Sequence, residues 1–191
     1  YFKFDIMEFK SVNKIFEESI KKNWLRPAIS NYQGETLHFR DLARRIEKLH
    51  IMFEECGLQK GDKVAICSRN QANWAVVFLA TTTYGSVPVP LLHEFKSANI
   101  HHLVNHSEAK VLFVDEVIWE GLSETEMPDI HAIIQVNNFK VLYAVDQNIY
   151  DAKVRLNELF GKRYPEAFEP HMINYYEDSA EELAVINYTS G

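Results

Sequence analysis

Four short apolar runs recur at nearly even intervals through the middle of this 191-residue chain. Val64-Ala65-Ile66-Cys67, Val87-Pro88-Val89, Val111-Leu112-Phe113-Val114 and Ile133-Ile134-Gln135-Val136 begin at 64, 87, 111 and 133, so their starts lie 23, 24 and 22 residues apart. Parallel neighbours need a crossover of about a dozen residues or more, and each gap has room for a helix or a shorter connecting segment. The stretch before Gly85 carries Trp74, Val77, Phe78 and Thr81, and that around Ile100 carries Leu103 and Val104. The fold expected is therefore α/β, a mainly parallel sheet flanked by helices. Pro88 and Pro90 lack an N–H, which makes their strand short or places it at an edge.

Before this region, Ser11 is placed to cap a helix bearing Val12, Ile15, Phe16 and Ile20 on one stripe, so 1–24 reads as an N-terminal helix. Ala28–Tyr32 and Glu35–His38 read as short strands turned by Gln33-Gly34. Leu42, Ile46, Leu49 and Phe53 recur at helical spacing. Gly57 can end that helix in the left-handed conformation, with Leu58 folding back. The βα units span 25–138. Residues 139–182 read as an irregular, partly helical excursion, with Ile149–Phe160 as a helix and aromatics that need a surface to bury against. A last strand, Leu183–Asn187, leads into Tyr188-Thr189-Ser190-Gly191.

Apolar residues make up 47% of the chain, with 12 Phe, 9 Tyr and 3 Trp, enough for a buried core. Twenty basic against 27 acidic residues leave a charge of −7, which opposes nucleic-acid binding but leaves room for a local basic pocket around one anionic ligand. The longest uninterrupted apolar run, Trp74–Ala80, is far short of the roughly 20 residues of a membrane span. No secretory signal pattern opens the chain, and Cys56 and Cys67 read as reduced, so a cytoplasmic location is expected. The first residue is Tyr, which leaves open whether residues 1–6 are native.

A strand running into Thr-Ser-Gly is how several phosphate-binding loops begin: small residues let backbone N–H groups approach phosphate oxygens, and hydroxyls add donors. The same four residues also suit an ordinary turn. His102 and His106 have the spacing of helical metal ligands, but Leu103 stands where a zinc protease needs Glu, so with His101 they read as a solvated helix face. Glu54-Glu55 and Glu181-Glu182 read as solvated pairs. Gly57-Leu58-Gln59-Lys60-Gly61-Asp62 precedes a strand rather than a helix, and reads as a turn rather than a phosphate cradle.

The order of these pieces carries a resemblance. Pro27-Ala28-Ile29 is followed by Leu37-His38-Phe39-Arg40-Asp41-Leu42, then by the run from Gly57 to Ile66 and Asn70. Tyr84-Gly85-Ser86-Val87-Pro88-Val89-Pro90-Leu91 and Ser107-Glu108-Ala109-Lys110-Val111-Leu112 come next, and Leu183 to Gly191 closes the series. The series resembles the N-terminal part of the AMP-binding, adenylate-forming superfamily of acyl-CoA synthetases, adenylation domains and luciferases. The likeness covers about residues 25–115 and the last nine. His38 departs from the family's usual Thr or Ser, and Tyr84 from its usual Ala.

The resemblance implies that the chain is the incomplete first portion of the family's large N-terminal domain. The parent protein is then an ATP-dependent acid–thiol ligase. A carboxylate attacks the α-phosphate of Mg-ATP, pyrophosphate leaves, and coenzyme A displaces AMP. Thr189, Ser190 and Gly191 would open the loop that binds the ATP phosphates. No catalytic residue and no metal ligand is expected within these 191 residues, and the chain alone is expected to be inactive. The stretch Leu91-Leu92-His93-Glu94-Phe95-Lys96 resembles long-chain fatty acid–CoA ligases, which implies a fatty acid substrate and allows peripheral membrane contact. Two other readings compete: a non-catalytic binding or scaffold module on the same fold, and an unrelated α/β domain. The latter would bind a small molecule in a crevice at the carboxyl ends of its strands.

Overall fold

The computed structural model describes residues 11–188, and the four apolar runs are its four parallel strands. The chain opens with helix α1 (Val12–Lys22) and an antiparallel pair, β1 (Pro27–Ser30) and β2 (Thr36–His38). It continues through α2 (Phe39–Glu55), β3 (Lys63–Cys67), α3 (Ala72–Tyr84), β4 (Val87–Leu91), α4 (Ser97–His106), β5 (Ala109–Val114), α5 (Glu116–Trp119) and β6 (Ala132–Gln135). An antiparallel strand β7 (Val141–Ala144) and helices α6 (Gln147–Val154) and α7 (Leu156–Arg163) follow. The strand order of the large sheet is β4-β3-β5-β6-β7, parallel except for β7.

Alternation along the central strands feeds two cores. Val64, Ile66, Val111, Phe113, Ala132 and Ile134 face one layer, where α2, α3, α6 and α7 pack. Ala65, Cys67, Leu112, Val114 and Ile133 face the other, against α4 and the segment around Met127 and Ile130. Burial on both faces is why these strands read as continuous apolar runs rather than as alternations.

Helix α2 ends as its sequence signals. Gly57 takes φ +71°, its N–H bonds the Glu54 carbonyl, and the Leu58 N–H reaches back to Phe53 at 3.0 Å. Leu58 thereby joins Phe53 in the core. Gly85 closes α3 in the same way at φ +88°, with Ser86 N–H bonding the Thr81 carbonyl. At the start of α2, where His38 replaces the usual hydroxyl, the Asp41 carboxylate accepts the His38 N–H at 3.1 Å.

Four features differ from the sequence reading. The buried face of α1 is Asn13, Glu17 and Ile20, while Val12 and Ile15 are exposed. Polar anchoring turned the helix: Asn13 Nδ2 donates to the Thr82 carbonyl at 2.8 Å, and Glu17 accepts the Tyr175 N–H at 2.8 Å together with Lys14 and Lys21. Burial raises the Glu17 pKa, but the hydrogen bonds from Lys21, Tyr175 and Lys14 outweigh it and hold the carboxyl below its ordinary value. The stretch 139–182 contributes β7 before its helices. The β6–β7 turn places Phe139, rather than a glycine, at φ +57°, so no glycine or proline punctuates it. Two of the acidic residues expected to be solvated are paired, Glu54 with Arg163 and Glu182 with Lys60. Finally, Leu183–Asn187 is not a ladder strand.

The remaining aromatics of the excursion find the surface they need. Phe168 packs on Trp24, Phe160 and Tyr164, and Tyr175 is buried.

The two left-handed glycines differ in one respect. A Cβ on Gly57 would meet nothing within 4 Å, whereas one on Gly85 would lie 3.0 Å from the Tyr176 ring. Gly57→Ala should therefore cost about 1–2 kcal/mol, the conformational penalty alone. Gly85→Ala should cost more, because Tyr176 must also move. Urea unfolding of both variants checks this, and equal losses would contradict it.

Candidate active-site approach at the sheet edge

The prolines of β4 determine what its outer edge can bind. Val87 N–H bonds the Asp62 carbonyl on the β3 side, so Val87, Val89 and Leu91 form the ladder. Pro88 faces the other way, because its carbonyl accepts the Ile186 N–H at 3.1 Å. Pro90, two residues on, shares that direction. The edge therefore presents acceptors but lacks both donors. A segment laid along it cannot form a full ladder, which is why 183–188 touches β4 through this one backbone hydrogen bond among the described residues.

Side chains hold the segment on both sides of that bond. Glu182 accepts from Tyr176 Oη at 2.8 Å and pairs with Lys60 at 3.1 Å, while Lys60 lies 4.6 Å over the Tyr176 ring. Ile186 and Tyr188 pack on the second core. Tyr188 Oη meets His106 Nδ1 at 2.8 Å, with the two rings edge-on at 5.7 Å. Upstream, Asp178 caps α1 from 167 residues away: Ser11 Oγ donates at 2.5 Å, and the N–H groups of Val12 and Asn13 donate at 3.2 and 2.9 Å. Burial raises the Asp178 pKa, yet these bonds hold the carboxyl below its ordinary range. Between α1, α3 and this segment lies an apolar cavity of about 200 Å³, walled by Phe16, Phe78 and Leu183. Thr189, Ser190 and Gly191, the residues expected to begin a phosphate loop, lie outside the described residues.

The other candidates resolve as follows. His101 Nε2 accepts the Ser123 N–H at 3.1 Å, and His106 is engaged with Tyr188. Among the described residues no group of three or more His, Cys, Asp or Glu could hold a metal ion. Burial pushes the thiols of Cys56 and Cys67 up to about 12, so both are inert, free cysteines. The Gly57–Asp62 stretch is a turn, closed by Gln59 N–H to Asp62 Oδ2 at 2.7 Å. No helix is long and apolar enough to cross a membrane among the described residues.

Sequence reasoning missed a buried polar cluster against α2. Tyr164 Oη donates to Glu47 Oε2 at 2.6 Å, and His50 Nε2 lies 3.1 Å from both the Ala80 carbonyl and Thr83 Oγ1. Tyr164 and Glu47 stand 117 residues apart, so no local pattern announces their meeting.

A profile of the AMP-binding enzyme family matches residues 16–191. The chain belongs to that family. Among curated relatives, it is 27% identical over 166 residues to acyl-coenzyme A synthetase ACSM2B, mitochondrial, of Homo sapiens, covering 84% of this chain and 26% of that protein. It is 25% identical over 109 residues to surfactin synthase subunit 2 of Bacillus subtilis (strain 168), covering 57% of this chain and 3% of that one. Among solved structures, the anthranilate CoA ligase AuaEII in complex with anthranoyl-AMP superposes with a TM-score of 0.73 at 16% identity, over 98% of this chain and 33% of that one. That last likeness shows a shared fold. The chain thus spans about a quarter to a third of the synthetase and the ligase. Membership of the AMP-binding family overturns the reading of an unrelated α/β domain.

The buried histidine makes the stability of this family member pH-dependent. Burial, reinforced by the Arg163 charge and opposed by the Ala80 hydrogen bond, lowers the His50 pKa to about 4. The unfolded chain protonates the ring near 6.5 and the folded chain does not, so stability present above that pH is lost as pH falls from 6.5 toward 4. The loss attributable to His50 should be on the order of 3 kcal/mol. Urea unfolding at pH 7 and pH 4.5 should show His50→Gln losing markedly less than the unsubstituted chain. Equal losses would contradict the assignment.

Proposed function

We propose that the protein carrying this chain activates a carboxylic acid, a fatty acid, with ATP and passes the acyl group to coenzyme A. The observation that carries this reading is the family match extending to residue 191, through the Thr189-Ser190-Gly191 series that follows the edge segment. A carboxylate oxygen attacks the α-phosphorus of ATP, and the bond to pyrophosphate breaks. The thiolate sulfur of coenzyme A then attacks the acyl carbon, and AMP leaves with the electron pair. A carboxylate is a poor acyl donor, and the adenylate supplies the leaving group it lacks.

In this reading the chain contributes scaffold and the start of a phosphate clasp. The bond from Ile186 to Pro88 and the contact between Tyr188 and His106 anchor the described segment that precedes Thr189. The hydroxyls of Thr189 and Ser190 and the backbone N–H groups around Gly191 would donate to phosphate oxygens. Magnesium, which the family resemblance implies, finds no cluster of ligating side chains among the described residues. The fatty character of the acid rests on the Leu91–Lys96 stretch, and the cytoplasmic, reducing setting on two inert thiols.

The test is AMP release by the whole protein with ATP, coenzyme A and a panel of fatty, aryl and amino acids. We expect AMP with fatty acids, and a fall in rate of about 10²–10³-fold when Ser190→Ala removes one donor. If AMP forms with no acid, the reading fails; if it forms with aryl or amino acids alone, the fatty assignment fails. The 191-residue chain by itself should release no AMP.

A further inference from the structure

Away from the outer edge of β4 lies a cavity of about 550 Å³ to which the adenylation reading gives no task. It opens where β6 ends, between α2, the β6–β7 turn and the α6–α7 pair, with Asn31 before β2 and Gln71 and Asn73 at the start of α3 completing its wall. Its wall includes three cations, Arg45, Lys48 and Lys153, and a single acid, Glu35. Glu35 is engaged with Arg45, whose Nη2 lies 2.7 and 2.9 Å from its two carboxylate oxygens, while Nη1 bonds Asn73 Oδ1 at 2.7 Å.

The two lysines are placed differently. Lys48 Nζ donates to Asn157 Oδ1 at 2.6 Å, and Lys153 Nζ to the Asn138 carbonyl at 3.1 Å. Among the described residues neither pairs with a carboxylate. Burial lowers the pKa of both, and neighbouring cations add to it: Arg44 and Arg45 for Lys48, and Lys48 for Lys153. In a chain of charge −7, this is a local inversion of the charge balance. A doubly charged anion between the ammonium groups would relieve their repulsion.

We propose that this cavity binds a small phosphate monoester, its phosphate held between Lys48 and Lys153 and its polar body against the amides of Asn137 and Asn157. A phosphate monoester carries about −1.5 to −2 at neutral pH, which matches two compact ammonium charges. The cavity lies within the roughly 300–1,000 Å³ of small-molecule sites, larger than free phosphate needs. It is also separate from the β4 edge, where the nucleotide phosphates of the adenylation reading would sit.

The experiment titrates glycerol 3-phosphate and inorganic phosphate into the isotopically labelled chain and follows its amide signals by NMR. The expected result is saturable shifts of the side-chain amides of Asn137 and Asn157, with glycerol 3-phosphate the tighter probe. The double variant Lys48→Gln/Lys153→Gln, whose sites are partly exposed, should weaken it at least tenfold while its spectrum stays folded. Three results would overturn the proposal: no shift of these amides up to about 10 mM, a concentration that still detects millimolar binding; shifts confined to Tyr188 and its neighbours; or undiminished affinity in the double variant.

Discussion

The peptide nitrogens of Pro88 and Pro90 carry no hydrogen, and both face away from β3. Had the register of β4 been one residue different, the same two prolines would have removed donors from the ladder with β3, and the parallel sheet would have lost its fourth strand. As built, Val87, Val89 and Leu91 keep that ladder intact, and the cost falls on the outer edge. That edge retains carbonyl acceptors, so it can hold a passing segment at a point without becoming a template for a full strand. Ile186 uses the Pro88 acceptor, and the described segment around it is thereby set against a rigid sheet.

Other contacts work toward the same end from a distance. Asp178 satisfies the first N–H groups of α1, which binds the start of the described chain to a point ten residues before Tyr188. Tyr176 lies against Gly85, donates its backbone N–H to Thr83 and bonds Glu182, so the end of α3 and the start of the edge segment share one aromatic ring. Glu17 and Asn13 turn the polar face of α1 inward to meet Tyr175 and Thr82. The apolar parallel strands supply the rigidity, and buried polar bonds choose which segment lies where.

What was legible in the sequence was what local periodicity and turn chemistry control. The doubly buried strands, the α2 stripe and the Gly57 terminus each declare themselves within a dozen residues. Pro88 and Pro90 marked an edge correctly because a missing donor has the same meaning in any context. The orientation of α1 was not legible: its apolar stripe is real, but two polar anchors to partners 69 and 158 residues away outweigh it. Strand β7 escaped because its turn uses Phe139 in a left-handed conformation that glycine would normally signal. The lysine cavity draws on α2, the β6–β7 turn and α7, and Lys48 meets Asn157 across 109 residues, so no spacing rule could assemble it. For Thr189, Ser190 and Gly191, which lie outside the described residues, only the order of motifs around them suggests a phosphate-loop role.

The central claim is that Leu183–Tyr188 is held on the β4 edge by one backbone bond to a proline carbonyl. Amide hydrogen exchange of the chain, resolved residue by residue, tests it most directly. The Ile186 N–H should be protected well above its neighbours Val185 and Asn187. An Ile186 amide that exchanges as fast as those neighbours would show that the segment is not anchored there, and the geometry offered for the phosphate clasp would fall with it.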